Sequence, residues 1–122
     1  KMATLNVTLG ITSTNATSES LNLGASDTLT VGNPLESTSK ATVGTVSVFN
    51  ILTAAANTNI TYVYVKNADT TNIITLKDDA GNSIIDLSAG EFAFFPVKGT
   101  IGLEALANTA PCDLEYGFWT KL

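Results

Sequence analysis

Apolar and polar residues alternate along several stretches of this chain, and the alternation predicts β-strands. In residues 4–12, Leu, Val or Ile occupies every second position and Thr, Asn or Gly fills most of the others. The same period of two appears in residues 101–107 and 112–122. Successive side chains of a strand point to opposite faces of a sheet, so this pattern is typical of half-buried strands.

Two other stretches are apolar on both faces. They cover residues 60–66 and 92–97. A strand of this kind packs into the core with one face, and its other face contacts a group outside the core. Pro96 has no backbone N–H to donate, so it predicts a strand end or a sheet edge.

Turn-forming residues separate these stretches. Asp-Asp-Ala-Gly-Asn at 78–82 predicts a hairpin between strands at 73–77 and 83–87, because Gly and Asn accept positive φ. The polar segments near 13–20 and 32–41 are expected to be surface loops or an arm. The short Ala-rich run at 52–56 is expected to be a loop, and no ten-residue helix is predicted.

The whole pattern predicts the fold class. We expect about eight or nine short strands with turn signals about every 8–12 residues. This organisation indicates an all-β chain forming one domain over residues 1–122. The domain is expected to be a single antiparallel β-sandwich of jelly-roll-like type.

The composition argues against an enzyme. The chain has no His and no Arg, which removes the commonest general base and any Ser–His relay. Cys112 is its only cysteine and cannot supply a zinc framework, so it is expected to be a small hydrophobic residue. Asp78 and Asp79 resemble part of a calcium loop but lack its spacing, and a hairpin turn explains them without a metal. We therefore expect no catalytic residue, no metal and no cofactor.

The charge of the chain limits the classes of partner that it is expected to bind. The net charge is −5 and the six cations are all Lys, so no Arg is present to read guanine or clamp phosphate. No apolar run approaches the roughly 18 residues of a membrane span. We expect neither nucleic acid nor membrane as a partner. Only 14% of residues are charged, a low share that suits either a protein whose surfaces are covered by neighbours or an extracellular adhesive module.

Four aromatic residues are candidates for an interface. Trp119 falls out of phase with the apolar positions of its strand and should point to the opposite face. An outward Trp marks either an irregular strand end or an interface anchor, since Trp and Tyr dominate binding hot spots. Phe95 is expected to act in the same way one strand away, and Tyr62 or Tyr64 could extend the patch.

The last forty residues resemble a known group of proteins. The segment Leu-Ser-Ala-Gly-Glu-Phe-Ala-Phe-Phe-Pro-Val at 87–97 is followed by Cys-Asp-Leu-Glu-Tyr-Gly-Phe-Trp-Thr-Lys-Leu at 112–122. Over residues 83–122 this pattern resembles the ending of small virion structural proteins of tailed bacteriophages. The chain departs from the usual form in having Phe-Phe-Pro where a Lys or Arg is common.

The resemblance implies a non-enzymatic virion protein that assembles in the host cytoplasm. We expect a capsid cement or decoration protein that stabilises the shell of the major capsid protein, or contacts another virion protein. It is expected to be a homo-oligomer, with a trimer favoured. The alternative is a tail- or fibre-associated module or a carbohydrate-binding β-sandwich, with Tyr62, Tyr64 and Trp119 as the sugar platform. Binding to glycans or dependence on calcium would favour the alternative.

Overall fold

The computed structural model describes residues 2–32 and 39–122, and their secondary structure is entirely β. Ten strands are present in this part of the chain, and every strand pair is antiparallel. The strands are β1 (Ala3–Ser13), β2 (Leu21–Val31), β3 (Ser39–Val43), β4 (Phe49–Leu52), β5 (Thr61–Asn67), β6 (Ile74–Asp78), β7 (Ser83–Leu87), β8 (Phe92–Val97), β9 (Leu103–Ala107) and β10 (Cys112–Thr120).

Eight of the strands form two four-stranded sheets. The first sheet has the order β3-β10-β5-β8, and the second has the order β4-β9-β6-β7. Their inward side chains form one hydrophobic core, with Val63, Val65 and Leu114 from the first sheet and Ile74 and Leu76 from the second, all fully buried. Burying apolar surface between the two sheets is the main stabilising term of such a domain.

The sequence patterns anticipate most of these strands. The predicted strands at 83–87 and 92–97 coincide with β7 and β8, and the predicted hairpin turn at 78–82 joins β6 to β7 with Gly81 at φ 89°. The run at 52–56 ends β4 and continues as a turn. The expected count of eight or nine strands is too low, because β2 to β4 carry weak patterns, with Thr, Ser, Gly and Asn between their apolar residues.

Strands β1 and β2 form a separate two-stranded sheet, which we call the arm. They pair along eleven residues each, from Ala3 opposite Val31 to Ser13 opposite Leu21. Residues 14–20 join them and are exposed. Residues 33–38 of the segment expected near 32–41 lie outside the described residues. The prediction that residues 4–12 are half-buried holds only near the base of the arm, because no second layer covers its tip.

Two buried Asn side chains fix the loops between the sheets. Asn57 donates from Nδ2 to the carbonyl oxygens of Lys98 and Ile101, at 2.7 and 2.9 Å. Asn67 donates from Nδ2 to the carbonyl oxygens of Asn72 and Leu87, at 2.8 and 2.9 Å. Buried amides of this kind need such partners, and in return they hold the loop backbones in place.

Within the described residues we find no helix long and apolar enough to cross a membrane.

Candidate functional site

The arm has two chemically different faces. The register places Leu5, Val7, Leu9 and Ile11 on one side. The residues of β2 on that side are Leu21, Leu23, Ala25, Asp27 and Leu29, so the side is mainly apolar and carries one charge. The opposite side consists of small and polar residues, which are Thr4, Asn6, Thr8, Gly10, Thr12, Asn22, Gly24, Ser26, Thr28 and Thr30. The arm is therefore an amphipathic ribbon with one mainly apolar face, on which Asp27 is the single charged residue.

The base of the arm is joined to the end of β10. The backbone N–H of Gly32 donates to the carbonyl oxygen of Thr120 at 2.7 Å, and that of Leu122 donates to Thr30 at 3.2 Å. Val31 and Lys121 form an antiparallel bridge beside them. These bonds fix where the arm leaves the domain, and they place its base next to Trp119 on β10.

The outer side of the sheet β3-β10-β5-β8 carries a continuous set of ring residues, which we call the aromatic face. Strand pairing places Tyr62 between Trp119 and Pro96, and Tyr64 between Gly117 and Phe94. The rings of Tyr62 and Phe94 stack with centroids 6.1 Å apart and planes at 11°. The aromatic face consists of Tyr62, Tyr64, Phe92, Phe94, Pro96 and Trp119.

A cleft of about 970 Å³ separates the aromatic face from the arm. Leu5, Val7 and Leu29 line it from the arm side and are half-buried. Burial decreases toward the tip of the arm, where Leu9, Ile11 and Leu23 are 48%, 44% and 55% exposed. The chain's own aromatic face thus covers only the base of the arm.

The structure brings together three of the four residues predicted as interface candidates. Tyr62, Tyr64 and Trp119 lie on the aromatic face, and Trp119 points away from the core as its position in the alternation predicted. Phe95 does not join them: it pairs with Val63 on the inner side and packs against the core.

Sequence reasoning missed Phe94, which holds the outward position on β8. The alternation of residues 92–97 already separates Phe94 from Phe95 onto opposite faces. What the sequence lacks is the pairing of β8 with β5, which decides which of the two faces is the outer one.

The outer side of the second sheet is mostly polar. Asn50 lies opposite Glu104, Glu104 opposite Lys77, and Thr75 opposite both Leu106 and Asp86. The Thr75 hydroxyl donates to an Asp86 carboxylate oxygen at 2.7 Å. The contrast between the two sheets makes the aromatic face, and not the opposite side, the candidate site for binding a partner.

Both acidic residues of the hairpin turn accept backbone hydrogen bonds, Asp78 from within the turn and Asp79 from the connection between β8 and β9. The Asp78 carboxylate accepts the backbone N–H groups of Ala80 and Asn82, at 2.9 and 2.8 Å, and the side-chain amide of Asn82 at 2.9 Å. These bonds hold the pKa of Asp78 below its ordinary value, with the Asn82 amide as the largest cause. Asp79 accepts the backbone N–H of Gly102 at 3.0 Å. Among the described residues, no group of three or more acidic or Cys side chains is placed to hold a metal ion.

Two other titratable groups lie near the first sheet. The Tyr64 hydroxyl donates to Glu115 at 3.0 Å, and partial burial together with that carboxylate raises the pKa of Tyr64. The thiol of Cys112 is buried in the core, and burial is the main reason that its pKa is raised. A protonated, buried thiol is a poor nucleophile. The described part of the site therefore offers apolar contact and few reactive groups.

Comparison with protein-family models, with curated proteins and with solved structures finds no match for this chain.

Proposed function

We propose that this chain is a non-enzymatic structural protein of a tailed-phage virion, which binds the major capsid protein or another virion protein as a homo-oligomer. Capsid cement or decoration is the role we favour. The assembly role rests on one observation. An amphipathic arm lies beside an aromatic face, and the chain covers that face only in part. Large apolar surfaces that one chain leaves open are typical of protein interfaces.

The strand order supports a jelly-roll topology for the two larger sheets. The antiparallel pairs β3·β10, β4·β9, β5·β8 and β6·β7 are nested, as they would be if one long hairpin were wrapped around the core. Wrapping places the pairs alternately in the two sheets, which gives the orders β3-β10-β5-β8 and β4-β9-β6-β7. Double-sheet jelly rolls occur in viral capsid domains and in lectins.

The second candidate is a carbohydrate-binding module. It is favoured by the placement of Tyr62, Tyr64 and Trp119 on one face, since sugar rings stack on aromatic side chains. Two features weigh against it. Tyr62 is only 8% exposed, and the arm face across the cleft is mainly aliphatic, with Asp27 as its single charged hydrogen-bonding side chain.

Co-sedimentation tests the proposal directly. The chain is mixed with shells assembled from the major capsid protein of the phage whose genome encodes it, and the shells are pelleted through a sucrose cushion. We expect the chain to pellet with the shells at a fixed stoichiometry. A chain that stays in the supernatant with these shells, and also with tails of the same phage, would contradict a virion role.

A matched pair of variants tests the role of the aromatic face. Trp119→Ala removes the largest ring of the aromatic face, and Leu106→Ala removes an aliphatic side chain from the outer side of the other sheet. We expect Trp119→Ala to reduce co-sedimentation at least tenfold at equal protein concentration, and Leu106→Ala to leave it unchanged. Equal losses for both variants would remove the aromatic face from the assembly role.

A further inference from the structure

We propose that the cleft between the arm and the aromatic face binds a small organic cation. The apolar or aromatic body of this ligand lies against the rings, and its ammonium group faces Asp27. The site is additional to the proposed assembly role and does not depend on it, since arm and aromatic face form the cleft within a single chain.

The cleft has the size and the lining of a small-molecule site. Its volume of about 970 Å³ lies within the range of about 300 to 1,000 Å³ that is typical of ligand pockets. Aliphatic side chains of the arm, such as Val7 and Leu29, form one wall, and the rings of the aromatic face form the other. Pockets of this kind are mostly apolar and carry a few polar groups that orient the ligand. The charge of the lining therefore indicates which polar group the ligand carries.

Asp27 is the only charged residue that lines the cleft in the described part of the chain. It stands opposite Val7 in the arm, on the side that faces the rings, and it is exposed. One of its carboxylate oxygens accepts the backbone N–H of Thr28 at 2.8 Å, and no other described residue donates a hydrogen bond to this carboxylate. An open carboxylate oxygen on a mainly apolar wall attracts a cationic group and repels an anionic one.

The aromatic wall favours the same charge. Aromatic rings are negative over their faces, so they attract ammonium groups, and groups of aromatic side chains recognise quaternary ammonium ligands. Trp119, Tyr64 and Phe94 line the cleft and are only partly buried, which leaves ring surface for a ligand. Tyr64 also donates its hydroxyl to Glu115, so a second carboxylate lies at the edge of the aromatic face.

The Lys residues of the chain do not compete for this position. Lys66 lies on the outer side of the same sheet, opposite Phe92 and Glu115, and it does not line the cleft. The net charge of −5 also favours the approach of cations over that of anions. A cation is therefore better matched to the cleft than an anion, or than a neutral apolar molecule that would leave Asp27 without a charged partner.

The fluorescence of Trp119 measures binding, because this residue is the only Trp of the chain and it lines the cleft. The full chain is titrated with phenyltrimethylammonium and with tert-butylbenzene, the neutral isostere in which carbon replaces the charged nitrogen. Phenyl glucoside and benzenesulfonate represent a sugar and an anion. We expect the cation to bind with a Kd of about 1 mM or lower, at least about tenfold more tightly than any of the other three. Equal or tighter binding of another probe, or no saturable response to the cation below about 10 mM, would overturn the proposal.

A matched pair of variants tests the role of the carboxylate. Asp27→Asn removes the charge but keeps an oxygen that can accept the N–H of Thr28, and Glu104→Gln makes the same change of charge on the outer side of the second sheet. We expect Asp27→Asn to weaken binding of the cation about threefold or more and to leave tert-butylbenzene unaffected. Glu104→Gln should change neither. Equal losses for the two variants would mean that only the net charge matters, and they would overturn the site.

Nuclear Overhauser spectra locate the bound cation. We expect contacts from its N-methyl protons to the rings of Trp119 and Tyr64, and a cation that binds without these contacts would also overturn the proposal. A chain that binds the cation in the cleft but does not sediment with shells would support this site and contradict only the virion role.

Discussion

Replacing Asn57 by Ala is expected to destabilise the domain strongly while removing only one polar side chain. Asn57 is fully buried, and its side chain makes three hydrogen bonds. Two are donated to the carbonyl oxygens of Lys98 and Ile101, and the third is accepted from the Thr61 hydroxyl at 2.7 Å. These bonds hold the turn between β8 and β9 against the start of β5.

The size of the expected loss in the free energy of unfolding follows from the groups that lose a hydrogen-bond partner. The variant loses three hydrogen bonds, each with a net value near 1 kcal/mol, and it leaves the Thr61 hydroxyl buried without its acceptor. Since the two carbonyl groups lie in a partly buried turn, water can compensate for only part of the loss. We expect a loss of about 3 to 4 kcal/mol in the free energy of unfolding. This is a large part of the 5 to 15 kcal/mol typical of a domain.

Urea denaturation measures the effect. With a slope of about 1.5 kcal/mol per molar, the midpoint should fall by about 2 to 3 M for Asn57→Ala. Asn59→Ala is the matched control: Asn59 is exposed and makes one long hydrogen bond of 3.4 Å, so its loss should stay within about 0.5 kcal/mol. A loss below about 1 kcal/mol for Asn57→Ala, with an unchanged slope, would refute the reasoning, because it would mean that water replaces all three bonds.

Three further predictions concern single residues. Thr100 has φ of 70°, which a β-branched residue rarely adopts, so Thr100→Gly should raise the free energy of unfolding by about 0.5 to 1 kcal/mol in the same urea assay. The pKa of Asp78 is lowered in the folded state, so the ionised carboxylate stabilises the fold above the ordinary pKa of 3.8. This stabilisation is lost as the pH falls through the pKa of the folded state. Thermal melting between pH 7 and pH 2 should therefore show a smaller acid destabilisation for Asp78→Ala than for the wild type. Because burial raises the pKa of the Cys112 thiol, its reaction with a thiol reagent at pH 8 should be at least about a hundredfold slower in the native protein than in urea, and equal rates would contradict its burial in the core.

Strands β5 to β10 of the two larger sheets could be predicted because each is regularly buried on one face or on both, whereas β3 and β4 of the same sheets carry weak patterns and were missed. In β9 the buried residues Leu103, Ala105 and Ala107 alternate with Glu104 and Leu106, which produces the period of two that the sequence shows. In β2 the apolar residues Leu21, Leu23 and Leu29 are interrupted by Ala25 and Asp27 on the same face. The sequence signal of β2 is therefore weak, whereas its partner β1 has an unbroken alternation and was predicted, although no sheet covers the full length of either strand.

The candidate site could be predicted only in part, for a related reason. Trp119 could be assigned to the outer face because the four apolar positions before it on β10 fix the phase of the strand. On β8, Phe92, Phe94 and Phe95 are all apolar, so neither face is marked as inner by composition. The pairing of Tyr64 with Phe94 resolves this, and pairing between distant strands is information that a single sequence does not contain.

The low charge of the chain is most pronounced in the arm. Asp27 is the single charged residue among the twenty-two residues of the two arm strands, whereas the outer side of the second sheet carries Lys77, Asp86 and Glu104. A monomer that needed charge only for solubility would not be expected to leave its most exposed element almost uncharged. The same element has a mainly apolar face, interrupted by Asp27, and an aromatic surface beside it that it does not fill. Outside the two arm strands 16 of the other 100 residues are charged, still below the roughly 25% of average domains, so low charge is a property of the whole chain and the arm is its extreme. An almost uncharged, incompletely covered element on such a chain supports the assembly role that we propose.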